Sequence, residues 1–524
     1  MLFTSPEFIF LFLPATLASF YLLGAKRNLR LAIIFLIINS LIFYSWGKLE
    51  YLILIFSSIF VNYYLGFMLG KTQTKSVKKV ILILGFIFNL GLLGYFKYFN
   101  FFLETANSLF QLSWSLQNIA LPLGISFFTF QQVAYLVDAY NDEVKDYRFL
   151  EYSLFVCFFP QLIAGPIVHH KEILPQFSRL KTYAFDLDEL AIGLSIFSFG
   201  LFKKIVLADS ISVYVEPIFG AAQQGAFPSL FEAWGAALAY TFQLYFDFSG
   251  YSDMAIGLAR MFRVTLPENF NSPYKAICII DFWRRWHITL SNFLKEYLYI
   301  PLGGNRKGKR RRDLNLFLTM LLGGLWHGAG WTFILWGGLH GLFLIANNWW
   351  HEFIRRLGYN PDKPKPLNRV IGIIVTFVSI VFAWVLFRSE SLQAAVAMFR
   401  GMIGLNGIMI PQAIAMKIGP VKELFALLGA TFPEWSNYDL EMPFLWFIFL
   451  FPIVWILPNT QQWMIRFKPV LSFNKYEKNS QIEQKHWLVW KINSVCGSLL
   501  GIMLFVVMKV ALSLPKTEFL YFNF

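Results

Sequence analysis

Residues Leu321-Leu-Gly-Gly-Leu-Trp-His327-Gly-Ala-Gly-Trp331 set one ionisable ring in an apolar, glycine-rich stretch. The chain has only 7 histidines, and no Asp, Glu, Lys or Arg occurs from Leu314 to Asn348. An ionisable side chain at membrane depth is expensive, so its presence marks a functional site. Imidazole is also the side chain best matched to moving a proton near neutral pH. His327 is therefore the residue expected to do the chemistry.

Basic runs bracket this stretch. Arg306 to Arg312 holds six basic residues, and Arg355, Arg356, Lys363, Lys365 and Arg369 form a second group with prolines. Both are expected in the cytosol, since short cationic loops stay on that side. From Leu314 to Leu325 the chain rises about 18 Å at ~1.5 Å per residue, against a hydrocarbon core ~30 Å thick. That places His327 a little past mid-membrane, at the apex of an in-and-back hairpin that returns through residues 331–350. Gly323, Gly324, Gly328 and Gly330 let backbones approach closely there.

Composition extends this reading to the whole chain. Of 524 residues, 57% are hydrophobic and 15% charged, whereas a soluble domain carries roughly 25% charged residues. Apolar stretches recur at about the ~20 residues that a spanning helix needs. The fold class is an all-α polytopic membrane protein, a single integral-membrane domain over residues 1–524. The net charge of +14 comes from short basic runs between apolar stretches, which is a topology signal. It speaks against nucleic acid and suits an anionic cytosolic substrate. Cys157, Cys278 and Cys496 show no C-x-x-C spacing, so neither a disulfide framework nor a metal site is expected.

No Lys or Arg precedes Lys26, so a signal peptide is not expected. Spans at residues 8–24, 31–46 and 51–70 connect basic groups at Lys26, Arg27, Arg30 and at Lys71, Lys75, Lys78, Lys79. The N-terminus is thereby expected outside the cell. Residues 80–96 return outward, and 98–112 are expected as an amphipathic helix at the interface. Residues 121–207 are interrupted by Pro122, Pro160, Pro166 and Pro175, and read as re-entrant or kinked with no assigned topology. Further on, 370–387 leads out, 389–442 is an external segment, 443–457 returns, 466–491 is a basic loop, and 492–512 exits. This gives about 10–14 membrane helices and an extracytoplasmic C-terminus. The subdivisions are residues 1–118, 119–388 and 389–524.

Upstream of the histidine lies Asp281-Phe-Trp-Arg-Arg-Trp-His287-Ile-Thr-Leu-Ser-Asn-Phe-Leu-Lys-Glu-Tyr-Leu-Tyr-Ile-Pro301-Leu-Gly-Gly304. On a helix Asp281, Arg284 and Arg285 lie three or four apart and can pair. One reading is an interfacial helix anchored by Trp and Arg. The other is a cytosolic vestibule in which Arg284, Arg285 and Lys295 hold phosphates while His287 assists His327.

Phe282-Trp-Arg-Arg-Trp-His287-Ile-Thr-Leu-Ser, Tyr297-Leu-Tyr-Ile-Pro-Leu-Gly-Gly304 and Leu325-Trp-His327-Gly-Ala together resemble the membrane-bound O-acyltransferase (MBOAT) family. The likeness is to its bacterial branch, typified by the alginate O-acetyltransferase membrane subunit. Residues 121–131, 159–167 and 245–253 are similar to the same branch. The resemblance implies a ring of tilted transmembrane and re-entrant helices, with a cytosolic funnel and an external cavity. It also implies that an acetyl group from cytosolic acetyl-CoA crosses a bacterial cytoplasmic (inner) membrane for O-acetylation of an extracytoplasmic polysaccharide. A periplasmic SGNH-hydrolase-like acetyltransferase partner completes transfer in this branch, and no bound cofactor is implied. By match of motif His327 is the family's essential histidine and His287 its second. Trp326, Arg284, Arg285, Lys295, Asp247 and Asp253 are the candidate substrate-binding residues.

The other polar candidates keep two readings each. Asp247 and Asp253, near Arg260, read either as a buried structural ion pair or as cavity-lining groups. His340 is read as a packing residue, His169 and His170 as interface residues, and His351 and His486 as solvated. A transporter or flippase is the rival class; no inverted repeat supports it. D-alanyl transfer in teichoic-acid modification is the rival acyl chemistry.

Overall fold

The apolar runs that lead from one basic group to the next fold as helices in the order the charge pattern sets. In the computed structural model, which describes residues 1–144, 148–361, 363–434, 438, 441–471, 489–514 and 517–523, α1 (Leu13–Ala25) ends at Lys26. Helix α2 (Leu29–Ser45) returns, α3 (Glu50–Lys71) reaches the second basic group, and α4 (Lys75–Leu93) leaves it. A π-helical turn, Gly94–Tyr98, joins α4 to α5 (Phe99–Phe110). The segment expected at the interface is thus continuous with the spanning helix, as one apolar run Lys75–Phe110. The π-turn inserts a residue without breaking the hydrogen-bond ladder.

The region that sequence left unassigned opens with α6 (Ile125–Tyr140) and three short helices, α7 (Phe149–Cys157), α8 (Phe159–Leu162) and α9 (His170–Phe177). Every residue from Phe158 through Val168 is buried. Broken backbone at membrane depth is tolerated only when enclosed by protein, and here it is. Cys157 is buried and its thiol donates to the Ser153 carbonyl at 2.7 Å, the contact of a packing residue.

Helix α10 (Leu187–Leu201) passes through another π-turn, Phe202–Ala208, into α11 (Asp209–Ser212). After α12 (Glu216–Gln223) comes α13 (Leu230–Met261), 32 residues through the centre of the protein. Ser229 starts it with a capping box, donating to Glu232 Oε2 from both its N–H and its hydroxyl at 2.8 Å. Glycines let α10 lie directly on α13: a Cβ on Gly200 would stand 2.6 Å from the Gly250 carbonyl oxygen. One on Gly257 would stand 2.6 Å from that of Gly193.

Beyond α13 the chain breaks into α14 (Ile279–Trp283), α15 (Ile288–Leu294) and a further π-turn, Lys295–Tyr299. Then α16 (Lys309–His327) and α17 (Trp331–Arg356) form the hairpin. Glu352 pairs with Lys309 and, at 2.9 Å, with Arg312, which brings the two open ends to one face and leaves His327 at the apex. Gly324 and Gly337 meet where the arms cross: a Cβ on Gly337 would lie 2.3 Å from the Met320 carbonyl oxygen. Gly337→Ala is therefore expected to destabilise the protein by about 1–3 kcal/mol, read as a lower unfolding temperature in detergent. An unchanged temperature would exclude this close approach.

The remaining helices are α18 (Pro366–Arg388), α19 (Leu392–Met402), α20 (Gln412–Lys417), α21 (Val421–Leu427), α22 (Glu441–Trp455), α23 (Thr460–Trp463) and α24 (Ser494–Ser513). A short helical turn, Leu520–Asn523, follows. Among the described residues 6 helices are long and apolar enough to cross a membrane, and α2 and α22 are apolar but shorter. The protein is thus an all-α polytopic membrane protein. Helices α13, α16 and α17 fall outside that set because they carry polar groups, His327 and His340 among them. His486 and residues 472–488 of the basic loop lie outside the described residues.

Candidate active site

His327 is the last residue of α16 and is 3% exposed. A helix leaves its final carbonyls without intrahelical partners. Here two neighbours on the π-turn after α4 take them. Tyr98 donates its hydroxyl to the Leu325 carbonyl at 2.8 Å, and Lys97 donates to those of Trp326 at 2.6 Å and His327 at 3.2 Å. The His327 ring is boxed by Trp326, Trp336 and Phe387 with ring centroids at 4.9, 5.0 and 5.3 Å.

His287 comes to the same place by a different route. The helix expected from Asp281 onward stops at Trp283, and His287 adopts φ +43° before α15 begins. A left-handed conformation is uncommon for a residue with a Cβ and clusters at functional sites. Asn269 compensates: its Oδ1 accepts from the Thr289 N–H at 3.3 Å and hydroxyl at 2.9 Å, and lies 3.0 Å from His287 Nδ1. An oxygen already accepting from a backbone N–H makes Nδ1 the protonated nitrogen of His287 and leaves Nε2 as the acceptor. The two histidine rings are 6.4 Å apart between centroids. Neither His287 Nε2 nor His327 Nε2 has a hydrogen-bonding partner among the described residues, and the same holds for the indole nitrogens of Trp326 and Trp336. Buried polar atoms are nearly always paired. With His340 Nε2 and Trp384 Nε1, which pack on Trp336, six unpaired ones fall in one aromatic cluster, the place where a reacting group would bind.

The remaining polar contact of His327 was not anticipated. Its Nδ1 lies 2.9 Å from the hydroxyl of Tyr521, which is buried. The segment carrying Tyr521 is locked beside the histidines by a buried charge cluster. Asp247 pairs with Lys204 at 2.6 Å and accepts the Leu520 N–H at 3.1 Å. Lys204 also pairs with Asp209 at 2.8 Å and donates to the Thr517 hydroxyl and the Glu518 carbonyl, both at 3.1 Å. Phe519 lies under the same ammonium at 4.9 Å. Asp247→Ala is expected to unseat this segment, so that a cysteine placed at Phe522 becomes labelled by a membrane-impermeant maleimide several-fold faster. Equal labelling rates in the two backgrounds would sink that coupling.

Two expectations from sequence are corrected here. Asp247 and Asp253 do not pair with Arg260. Their partners are Lys204 and Lys203, the latter at 2.6 Å, because the π-turn Phe202–Ala208 points both lysines at α13. Arg260 pairs instead with Glu189 at 2.5 Å. Asp253 also holds Thr460 at 2.6 Å and Gln461 at 2.9 Å, so it anchors α23. His170 is not a surface residue of an interface either, whereas His169 is half-buried. His170 is 1% exposed and meets Asp138 at 3.0 Å, and His169 Nδ1 lies 3.2 Å from the hydroxyl of Tyr297, which itself donates to Asp138 at 2.9 Å. Burial opposes the charge on nearby Lys171, but Glu143 and Asp138 outweigh it and hold the ammonium pKa above its ordinary value.

The other candidates divide. Trp326 lies against His327 and stacks on Phe130 at 4.9 Å. Arg284 and Lys295 are exposed, and Arg285 is held by Asp281 at 2.8 Å. His340 joins the cluster through Trp336, at 4.8 Å between centroids, and accepts from the Trp283 indole at 3.2 Å. The chain reversal at residues 328–330 makes this possible, since it puts the two histidines on separate helices. Cavities border the apex: one of about 640 Å³ is lined by Gln243, Ala329, Gly330, Phe387, Arg388 and Leu520, and one of about 300 Å³ by Lys97, Asn100, Gly328 and Ala329 among others.

Sequence reasoning missed three contributors. Lys97 satisfies the criterion that picked out His327, an ionisable group in an apolar run, but sits just past the expected end of a span at residue 96. Asn269 offered only its polarity within Glu268-Asn-Phe. Tyr521 lies in the aromatic run Phe519-Leu-Tyr-Phe522, which carried no local signal of contact with His327, 194 positions away.

Comparison with known proteins follows the same outline. Residues 106–388 match the sequence profile of MBOAT, the membrane-bound O-acyltransferase family. The chain is 45% identical over 434 residues to a "Peptidoglycan O-acetyltransferase" of Helicobacter pylori, covering 78% of this chain and 81% of the relative. It is 42% identical over 415 residues to a "Probable alginate O-acetylase AlgI" of Pseudomonas aeruginosa, covering 78% and 75%. A "Teichoic acid D-alanyltransferase" of Streptococcus thermophilus is 28% identical over 52% of this chain and 69% of its own.

Proposed function

The chain belongs to the membrane-bound O-acyltransferase family, and from that premise we propose that this enzyme carries an acetyl group from cytosolic acetyl-CoA across a bacterial cytoplasmic membrane to an extracytoplasmic polysaccharide. The observation that carries the reading is the buried Tyr521 hydroxyl on His327 Nδ1 at 2.9 Å. A general base must lie within about 2.6–3.2 Å of the proton it removes. With its ring hydrogen on Nε2, His327 accepts the phenolic proton at Nδ1 as the Tyr521 oxygen attacks the thioester carbonyl. The carbonyl–oxygen bond forms, the carbon–sulfur bond breaks, and the imidazolium returns the proton to the departing thiolate. The products are CoA and an acetyl ester on Tyr521. A phenol pKa of ~10 lies close to a thiol pKa of ~8.5, so the aryl ester stays nearly as activated as the thioester. It then passes its acetyl group to the hydroxyl nucleophile of a periplasmic SGNH-hydrolase-like partner, and from there to the glycan.

The basic runs Arg306–Arg312 and Arg355–Arg369 support a cytosolic position for the open ends of the hairpin, with both termini on the extracytoplasmic side. Alginate and peptidoglycan, named in the relatives, are the polymer classes that fit. Acetyl is favoured over D-alanyl because the O-acetyltransferase relatives named above are 42–45% identical over 78% of the chain, and the D-alanyltransferase 28% over 52%. The test is donor choice. The enzyme in lipid nanodiscs is expected to release CoA from acetyl-CoA in a His327-dependent manner and to leave a D-alanyl carrier-protein thioester intact. Release from the D-alanyl carrier, with acetyl-CoA inert, would overturn the acetyl reading.

A further inference from the structure

Three lysines lie near the site, Lys97 and Lys204 buried and Lys203 half-buried, and they differ in one respect. Lys203 and Lys204 are neutralised at 2.6 Å by Asp253 and Asp247. Lys97, at 9% exposure, has no carboxylate within 4.0 Å among the described residues. Three polar groups surround its nitrogen: the Trp326 carbonyl at 2.6 Å, the His327 carbonyl at 3.2 Å and the Ser126 hydroxyl at 3.2 Å. The two carbonyls can only accept, so each takes a hydrogen from Lys97, while the Ser126 hydroxyl can accept or donate. The negative end of the α16 dipole favours the charged form of the amine. The indole of Trp326 adds its face at 5.8 Å.

A lysine at a helix C-terminus offsets the negative end of the helix dipole, which amounts to about half a charge. Capping α16 therefore accounts for part of this cation and leaves a net positive remainder beside His327. An uncompensated charge in so dry a place is expensive, and a glutamine or an ordered water would cap the helix without it. What the remainder suits is negative charge that arises only during reaction. Attack on a thioester passes through an oxyanion, and fixed positive potential close to it is among the largest contributions an enzyme can make. Lys97 is also aimed for this: the π-turn Gly94–Tyr98 swings it onto the end of α16, where it lines the cavity of about 300 Å³ beside Gly328 and Ala329.

We propose that Lys97 is a positioning residue of the acyl transfer, pinning the last carbonyls of α16 and with them the His327 ring, and holding an uncompensated positive charge beside the developing oxyanion. This rests on the reading of His327 as the acyl-transfer centre.

The full-length protein in nanodiscs, assayed for CoA release from acetyl-CoA, separates charge from capping. Lys97→Met removes both, Lys97→Gln keeps a donor without charge, and Lys97→Arg keeps both. Lys97→Met and Lys97→Gln are expected to lower kcat by roughly 10²-fold with KM for acetyl-CoA changed by less than about twofold, while Lys97→Arg retains most activity. Wild-type kcat in Lys97→Gln would overturn the proposal and leave a helix cap. Should Lys97→Arg also fail, Lys97→Ala with added propylammonium decides, since the adjoining cavity admits a small cation. Recovery with propylammonium but not with propanol supports the charge, and no recovery overturns it. His327→Ala run alongside keeps the two readings apart: full activity in that variant would remove the acyl-transfer centre itself, whatever Lys97 does.

Discussion

Replacing His327 by alanine is expected to lower acetyl transfer by about 10²–10⁴-fold, the span that a positioned general base contributes, with the protein still inserted and folded. The ring is buried against Trp326, Trp336 and Phe387, so truncation also opens a small cavity, and protein level and unfolding temperature must be measured beside rate. His327→Gln makes the experiment specific. A glutamine carbonyl oxygen can still accept the Tyr521 hydroxyl that now lies 2.9 Å from Nδ1, but it cannot carry the proton away. If His327 is the base, both variants lose activity alike, and the loss falls on kcat. Activity of His327→Gln within tenfold of wild type would mean that the histidine only orients the tyrosine. The expectation does not depend on which glycan is the final acceptor, because CoA release reports the step directly.

How much of this was legible in the chain depends on the range of the interaction. Charge spacing is local, and it was enough for the order of the first helices and for the α16–α17 hairpin with His327 at its apex, because hydrocarbon admits few alternatives. Of the roughly 10–14 membrane helices expected, 6 among the described residues are long and apolar enough to cross. Isolated polarity in an apolar run was enough for His327. The same criterion applied to Gly94-Tyr-Phe-Lys97 would have found the lysine, had the span been allowed to continue through a π-turn that sequence does not announce. Pairings across helices were another matter. Asp247 stands thirteen positions from Arg260 and more than forty from Lys204, and proximity in sequence chose the wrong partner. The π-turn in Phe202–Ala208 decides the pairing by rotating two consecutive lysines toward α13, a geometric effect with no compositional trace. His287 shows the reverse problem. Its motif reads as continuous helix, yet the chain breaks there, and the left-handed residue is held by Asn269 from another segment.

Tyr521→Phe is expected to abolish acyl transfer, by at least about 10²-fold, while leaving donor binding intact. The substitution removes one hydroxyl and keeps the ring, which packs on Phe248 at 4.1 Å, so the Leu520–Asn523 turn should stay seated on Asp247. A tyrosine that merely filled space would tolerate the change. A tyrosine that accepts the acyl group cannot, because no other hydroxyl lies within hydrogen-bond distance of His327 among the described residues. The distinguishing measurement is covalent. Wild-type protein quenched after mixing with acetyl-CoA should carry one acetyl group on the peptide containing Tyr521, labile to hydroxylamine as an aryl ester is. His327→Ala should carry none. Acetyl transfer at the wild-type rate by Tyr521→Phe would move the acceptor elsewhere and leave the tyrosine a plug over the histidine. An acetylated Tyr521 that fails to discharge to any partner would instead make the ester a trap and not an intermediate. The geometry argues for the productive case: the cavity of about 640 Å³ next to the apex is lined by Leu520 as well as by Ala329 and Gly330, so a residue beside the acylated tyrosine already borders the space that an incoming acceptor would enter.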